Sequence, residues 1–217
     1  MCDDYELMFM PMILVTGFGP DKQNDENPSW EGVRSINKDG IEKKHNVVLV
    51  QMEFPSTYKD IDEYLPALWE THTPALMIHV GVSGQATCFD LESQAHRKGY
   101  HKVDDFGDCP ANNVCAENGA VRLHTKLNVE QISKQFNDES SPDEKIKTQV
   151  SKDAGRFLCE YIYYKSLSID NTRTLFVHVP PLDIYSAHET ARGLERIIDL
   201  CLDQIRERKE STADNQL

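Results

Sequence analysis

Short apolar runs alternate along the 217-residue chain with stretches that have the periodicity of amphipathic helices. The runs are β-branched in part and bounded by glycine or proline, which is typical of strands buried on both faces of a sheet. They occupy residues 12–16, 47–50, 75–81 and 174–179. Apolar spacings of three and four predict helices around residues 30–36, 61–69, 157–162 and 194–205. The alternation predicts an α/β fold whose central sheet is covered by helices on both faces.

Three segments contain residues that interrupt regular secondary structure. Pro66 lies inside the helical pattern at 60–71, so we expect that helix to be kinked or to start late. The Gly, Asp, Asn and Pro residues of 99–117 predict a loop or a hairpin, and residues 137–143 predict a solvent-exposed turn.

Composition and charge exclude several classes of protein. Residues 1–217 fit one domain, with poorly ordered tails expected at 1–11 and 209–217. The 23 Lys and Arg residues against 36 Asp and Glu give a net charge of −13, which disfavours binding to nucleic acid or to an anionic membrane. No run reaches the roughly 18 apolar residues of a membrane span, and the N-terminal residues are acidic where a signal peptide is basic. We therefore expect a cytoplasmic protein.

The six cysteines are too sparse for a disulfide scaffold and are expected to be mostly free thiols. Cys109 and Cys115 are the pair that most resembles a metal motif. Zinc-binding cysteine pairs are usually about two to four residues apart, and no second pair of ligands follows at finger spacing. We expect no metal site.

A ligand site in an open α/β sheet forms beyond the carboxyl ends of the strands. The first such place is the loop at 16–20, Thr-Gly-Phe-Gly-Pro, whose glycines allow a close backbone approach but which lacks the pattern of a phosphate-binding loop. A plain tight turn explains it equally well. Asn27 is explained as a helix N-cap followed by Pro28, although its amide faces the same edge of the sheet.

Cys159 and His178 are the residues most suggestive of chemistry. Residues 151–155 predict a helix start that places Cys159 within about the first two turns, where the helix dipole favours a thiolate. His178 lies inside an apolar strand, where a buried imidazole needs a partner. His79 occupies an equivalent position one strand away, so spacing alone does not choose between these two histidines.

An acidic residue could orient the histidine of such a site. Glu92 follows the third apolar run and its loop, and Asp90, Asp104 and Asp105 compete for the same role. A solvated surface carboxylate is the ordinary explanation for each of them. The residues alone therefore support a cysteine hydrolase without a defined substrate.

These same segments resemble the pyroglutamyl-peptidase I family, whose members are cysteine peptidases that remove N-terminal pyroglutamate. The resemblance spans residues 12–205, and its later motifs are most like the animal forms. It rests on ILVTGFGP (13–20), NPSW (27–30), HVGVSG (79–84), LE (91–92), KGY (98–100), SKDAGRFLCEYIYY (151–164) and FVHVPPL (176–182).

The resemblance implies a three-layer α/β/α sandwich with a central mixed, mostly parallel sheet, of the phosphorylase/hydrolase-like kind. It implies a Glu92, Cys159, His178 triad, which decides for His178 over His79 and for Glu92 over the aspartates. The positions that it assigns to the pyroglutamate pocket are Phe18, Asn27, Val82 through its backbone, Phe157 and Leu158. It implies a small pyroglutamyl peptide as substrate and no cofactor. We expect a monomer or weak homo-oligomer.

Two other functions remain open. A relative that kept the fold without catalysis would bind peptide N-termini or another partner. A nucleoside phosphorylase-like enzyme would share the sandwich, since fold does not determine function. The absence of an obvious basic phosphate-binding cluster in the sequence argues against the second of these.

Asp21 departs from the family pattern, which usually repeats an aromatic residue shortly after the glycine loop. If that aromatic residue covers the pyroglutamate ring, Asp21 removes apolar contact worth on the order of 1–3 kcal/mol. We expect a KM higher than in relatives that have the aromatic residue. Asp21→Phe should therefore raise kcat/KM on a pyroglutamyl amide, and an unchanged kcat/KM would contradict this role.

Overall fold

The computed structural model describes residues 10–20, 22, 25–141 and 144–214. The strands are β1 (Met12–Phe18), β2 (Val48–Phe54), β3 (Leu76–Val82), β4 (Phe89–Glu92), β5 (Gln94–His96), β6 (Arg122–His124), β7 (Thr148–Ser151) and β8 (Thr174–Val179). The α-helices are α1 (Pro28–Arg34), α2 (Lys38–His45), α3 (Tyr58–His72), α4 (Val129–Asp138), α5 (Leu158–Asp170) and α6 (Ala187–Asp214). A short 3₁₀ helix covers Ala111–Asn113.

Six strands form the central sheet, in the order β2-β1-β3-β8-β4-β7. The pairs β1/β2, β1/β3, β3/β8 and β4/β7 are parallel, whereas β4 runs antiparallel to β8. Strands β5 and β6 form a separate antiparallel pair. The central sheet is therefore mixed and mostly parallel.

Two apolar cores lie on opposite faces of this sheet. In β1, Ile13 and Val15 belong to one core and Leu14 belongs to the other, because successive side chains of a strand point to opposite faces. The first core is closed by α1, α2, α4 and α6, and the second by α3 and α5. This arrangement confirms the predicted three-layer α/β/α fold.

The four predicted strands correspond to β1, β2, β3 and β8, and the four predicted helices to α1, α3, α5 and α6. Residues 99–117 are largely loop, as expected, with the 3₁₀ turn and a single bridge from Lys98 to Val114. The apolar pattern did not reveal β4 and β7. Both have only four residues: FDLE alternates apolar with polar side chains, and TQVS contains a single apolar residue.

Two local expectations need correction. Helix α3 begins at Tyr58 and includes Pro66, so it does not start late. Helix α6 extends to Asp214, into the stretch expected as a C-terminal tail, and the poor order of that tail stays a prediction. The turn expected at 137–143 starts later, because α4 continues through Asp138. The parts of the expected tails and turn at residues 1–9, 142–143 and 215–217 lie outside the described residues. The interpretation of residues 1–217 as one domain stays a prediction.

Among the helices of the described residues, none combines the length and apolar character needed to cross a lipid bilayer.

His79 lies in the middle of β3 and is completely buried. Its Nδ1 is 2.7 Å from Thr16 Oγ1 and its Nε2 is 2.9 Å from Ser166 Oγ, which also accepts a hydrogen bond from Trp69 Nε1 at 2.7 Å. Burial lowers the pKa of His79 from 6.5 to about 3. This histidine is therefore a neutral core residue that joins β1, β3, α3 and α5.

We predict that His79 makes the free energy of unfolding decrease at acidic pH. Below pH 6.5 the histidine is protonated in the unfolded chain, whereas folded His79 stays neutral down to about pH 3. The contribution of His79 to the free energy of unfolding is therefore fully present above pH 6.5 and decreases as the pH falls. The loss has a limiting slope of roughly 1.4 kcal/mol per pH unit. Urea unfolding of the wild type and His79→Gln, at about pH 7.5 and about pH 5, measures it.

His79→Gln should be less stable than the wild type at the higher pH but should lose less stability at the lower one. His124→Gln is the matched control because His124 is exposed. Its loss of stability between the two pH values should equal that of the wild type. Equal losses in the wild type and His79→Gln would contradict the prediction.

Candidate active site

Cys159 lies in the first turn of α5, which begins at Leu158. This start corrects the expected one, because Thr148–Ser151 pairs with β4 as a strand and the chain then turns through Gly155 at φ +84°. The six residues between β7 and α5 form a loop at the carboxyl end of β7. The half-buried thiol of Cys159 is consequently nearer to the helix N-terminus than the sequence suggested.

Gly81 provides the space in which the Cys159 thiol packs. A Cβ atom at Gly81 would lie 2.7 Å from Cys159 Sγ and 2.8 Å from Phe176 Cζ, which real Cβ atoms do not tolerate. Gly81 also pairs with His178 in the parallel β3/β8 register. The sequence reasoning did not assign a role to Gly81, although a glycine at the end of an apolar strand was the available signal.

His178 and Glu92 are joined by a hydrogen bond between two adjacent strands. His178 Nδ1 donates to Glu92 Oε1 at 2.7 Å, and both side chains are almost fully buried. Glu92 lies opposite Phe176 in the antiparallel β4/β8 pair, so it is the diagonal neighbour of His178 on the same face. The hydroxyl of Tyr163 fixes this point of β4 by donating to the Glu92 carbonyl at 2.7 Å.

The surroundings of His178 favour its protonated form. Burial disfavours the charge, but hydrogen bonds with Cys159 and Glu92 outweigh it and raise the pKa of His178 to about 10. Within the described residues, Glu92 Oε2 has no hydrogen-bond partner. The imidazolium is thus the cation that balances this buried carboxylate.

The competing residues have other partners. His79 bonds to Thr16 and Ser166 as described above. Asp90 accepts from Gln149, Asp104 accepts from the backbone amide of Tyr58, and Asp105 accepts from the backbone amide of Lys22.

Several predicted pocket residues share the apolar core on the α3/α5 face of the sheet. Phe18 and Leu158 are buried members of this core, and Phe157 and Cys159 pack against it. Val82 ends β3 one residue after Gly81 and pairs with Val179. The structure therefore brings an apolar surface together with the thiol at the end of the sheet.

Asn27 has the structural role that its sequence context indicated. It is the N-cap of α1, and its Oδ1 accepts from Ser29 N at 3.1 Å and from Ser29 Oγ at 2.8 Å. Its Nδ2 donates to the Gly19 carbonyl at 3.1 Å. An amide nitrogen carries two hydrogens, so one donor position is left for a ligand.

Tyr58 and Lys102 hold Phe157, and the sequence reasoning assigned neither of them. The Tyr58 and Phe157 rings meet edge to face with centroids 5.9 Å apart. Lys102 Nζ lies 4.1 Å from the centroid of the same Phe157 ring. Asp104 anchors the Lys102 segment through the Tyr58 amide at 3.1 Å. No motif connected these distant segments in the sequence.

The remaining cysteines and Asp21 complete the predicted positions. Cys109 is exposed, Cys115 is buried, and both are free thiols, as are Cys88 and Cys201. Asp21 lies outside the described residues.

One group of side chains in the described part of the chain has the geometry of metal ligands. Ligand atoms of His96, Asp153 and Glu160 lie within 4.8 Å of one another. The Arg156 guanidinium already bonds to both carboxylates of this group, through Nη1, at 2.6 Å to Asp153 and 2.8 Å to Glu160. We therefore interpret the group as an ion-pair cluster.

Comparison with known proteins is consistent across sequence and structure. The family model described as pyroglutamyl peptidase matches residues 11–208. The chain is 38% identical to human pyroglutamyl-peptidase 1 over 192 residues, which are 88% of this chain and 90% of the human protein. It is 25% identical to the Bacillus subtilis pyrrolidone-carboxylate peptidase over 188 residues, 84% of each protein.

Solved structures support the same fold. The pyrrolidone carboxyl peptidase from Thermococcus litoralis matches with a TM-score of 0.80 at 21% identity, covering 92% of this chain and 96% of that one. Pyroglutamyl peptidase I from Bacillus amyloliquefaciens matches with a TM-score of 0.73 at 23% identity, covering 86% of this chain and 94% of that one. On the strength of the family model and the human relative, the chain belongs to the pyroglutamyl peptidase family.

Proposed function

We propose that this protein is a cysteine peptidase that hydrolyses the bond after an N-terminal pyroglutamyl residue. The observation that carries the proposal is the grouping of buried Glu92 and His178 with the half-buried Cys159 thiol in a chain of this family. A thiol, an imidazole and a carboxylate in this order of contacts form a nucleophile, a base and an orienting group. The intact contact favours catalysis over a binding-only relative.

The chemistry begins with a proton on His178 and a thiolate at Cys159. The thiolate sulfur attacks the carbonyl carbon that joins pyroglutamate to the next residue, and the negative charge moves to the carbonyl oxygen. His178 then donates its proton to the leaving amine as the C–N bond breaks, which leaves a thioester on Cys159. His178 next takes a proton from water, which attacks the thioester and releases pyroglutamate. Glu92 orients the imidazole throughout.

The start of α5 is suited to stabilising the oxyanion. In the part of the chain that the structure describes, no side chain caps this helix: its N-cap is Phe157, which has no side-chain acceptor. The first backbone amides of a helix need an acceptor and carry the positive end of the helix dipole. Backbone amides beside Cys159 are the donors that we assign to this role.

The pocket accounts for a cyclic and uncharged N-terminus. Phe18, Phe157 and Leu158 offer apolar contact to the pyroglutamate ring. The second amide hydrogen of Asn27 and the backbone of Val82 are our candidates for reading the lactam. A free α-ammonium would lose hydration against these apolar side chains, which disfavours ordinary peptides.

The compartment follows from the same chemistry. A thiolate nucleophile and five described free cysteines suit a reducing environment, and we therefore propose a cytoplasmic location. The substrate is a small pyroglutamyl peptide, and the quaternary state, a monomer or weak homo-oligomer, stays a prediction.

Substitution of the three proposed catalytic residues tests the function. Cys159→Ala should abolish hydrolysis of a fluorogenic pyroglutamyl amide under reducing conditions, because no nucleophile remains. His178→Ala should do nearly the same. Glu92→Gln keeps the shape but weakens orientation of the imidazolium, so kcat should fall by at least about tenfold.

Matched controls come from neighbouring positions. Asp90→Asn changes an acidic residue of the same strand that bonds to Gln149, and Cys109→Ala removes an exposed thiol. Both should keep kcat close to the wild-type value. Hydrolysis that survives Cys159→Ala, or an equal effect of Glu92→Gln and Asp90→Asn, would refute the triad.

The pH profile tests the charge state of His178. Because hydrogen bonds with Cys159 and Glu92 raise the pKa of His178 to about 10, kcat/KM should persist through mildly alkaline pH and then decline as the imidazolium loses its proton. Glu92→Gln removes one of the causes that raise this pKa, so its alkaline limb should move to lower pH. Profiles with coincident alkaline limbs would show that Glu92 does not support the charge.

A further inference from the structure

A second charged cluster lies directly beside the proposed nucleophile and takes no part in the chemistry above. Its centre is Arg156, three residues before Cys159. Arg156 Nη1 donates to Asp153 Oδ1 at 2.6 Å, to the Gly155 carbonyl at 2.8 Å and to Glu160 Oε2 at 2.8 Å. His96 Nδ1 donates to the other oxygen of Glu160 at 2.7 Å.

Glu160 is the unusual member of this cluster, because it follows Cys159 directly and its side chain is 0% exposed. Burial raises the pKa of Glu160, and the hydrogen bond from His96 and the charge of Arg156 oppose that rise. A buried carboxylate needs such partners. Arg156 provides one of them from the loop that leads into α5, so the helix and the loop are tied together at this point.

The same bonds define the conformation of the loop. Asp153 Oδ1 also accepts from the Gly155 amide at 3.1 Å, and Gly155 has φ +84°, in the left-handed region. On the other side of Arg156, Gly99 leaves room for the arginine stem, since a Cβ there would lie 3.3 Å from Arg156 Cδ. Arg156 therefore connects an exposed loop carboxylate to a buried carboxylate in the first turn of α5.

We propose that Arg156 is a positioning residue that, by bridging Asp153 and Glu160, holds the first turn of α5 so that Cys159 faces His178. The inference rests on the proposed function for its kinetic consequence. It deepens that function by assigning orientation of the thiol to a cluster outside the Glu92–His178 pair.

Substrate binding has separate supports. Phe157, the pocket residue nearest to Arg156 in the chain, is held by Tyr58 and Lys102, which belong to α3 and to the loop after β5. Loss of the Arg156 bridge should therefore disturb the thiol more than the pocket. Small displacements of a reacting group cost large factors in rate. The expected signature is a fall in kcat with little change in KM.

The test uses the double variant Arg156→Met/Glu160→Gln, which removes both charges together and so leaves no uncompensated buried carboxylate. His96 can still donate to the amide oxygen of Gln. A cluster that serves only stability would leave kcat near the wild-type value in this folded variant. A positioning role predicts that kcat falls about tenfold or more while KM stays within about twofold.

The matched control is Lys165→Met/Asp62→Asn. This change removes another ion pair, 2.7 Å between Lys165 Nζ and Asp62 Oδ1, from the same helix α5 to α3. It deletes the same number of charges, and Tyr161 can still donate to the Asn oxygen in place of Asp62. Its kcat and KM should both stay within about twofold of the wild type.

A readout that needs no peptidase activity separates this inference from the proposed function. The rate of Cys159 alkylation by iodoacetamide at neutral pH, followed by mass spectrometry, reports the reactivity of the thiol. In the double variant this rate should fall by a factor similar to that of kcat, with the exposed Cys109 as the internal reference. If the wild type does not hydrolyse pyroglutamyl amides, the alkylation rates still decide whether Arg156 positions Cys159.

Asp153→Asn provides a second variant, because the Asp153 side chain is 68% exposed and its replacement leaves the buried pair in place. It should lower kcat and Cys159 alkylation by about threefold. Wild-type kcat and alkylation in the folded double variant would overturn the proposal. Equal losses of kcat and alkylation rate in the Lys165→Met/Asp62→Asn control would also overturn it. If the double variant does not fold, wild-type kcat and alkylation in Asp153→Asn would overturn it.

Discussion

The hydrogen bond between His178 and Glu92 is the interaction on which the proposed site depends. Two ionisable side chains are buried at the same point of the sheet, and either one alone would be costly there. Burial lowers the pKa of His178, but the hydrogen bonds with Cys159 and Glu92 raise it more. The imidazole therefore carries a charge that burial alone would remove. The buried carboxylate of Glu92 therefore stabilises a cation, protonated His178, next to the thiol.

Strand direction makes this contact available. A sheet with only parallel strands would bring together residues from the carboxyl ends of its strands. Strand β4 is antiparallel to β8, so Glu92, at the last position of β4, pairs with Phe176 in the interior of β8. From there its side chain reaches diagonally to His178. The thiol comes from α5 in the helix layer, and Gly81 leaves the space that it fills.

Balanced charge recurs on the helix side of the site. Glu160 is completely buried one residue after Cys159, with Arg156 and His96 as its partners. His79, only two residues before Gly81 in β3, shows the opposite solution, since it is neutral and satisfied by hydroxyl groups. Two buried histidines of similar sequence context thus differ in charge because one faces a carboxylate and the other does not.

Local periodicity and capping residues were enough to predict the α/β alternation, four strands, four helices and the N-cap at Asn27. The sequence also indicated Cys159, since a thiol near a helix start is a local feature. Spacing alone could not choose between His79 and His178, or between Glu92 and the nearby aspartates, and the family resemblance made both choices. The partners of each buried charge and the role of Gly81 became evident from the folded chain alone, because such contacts join segments that are far apart in the sequence.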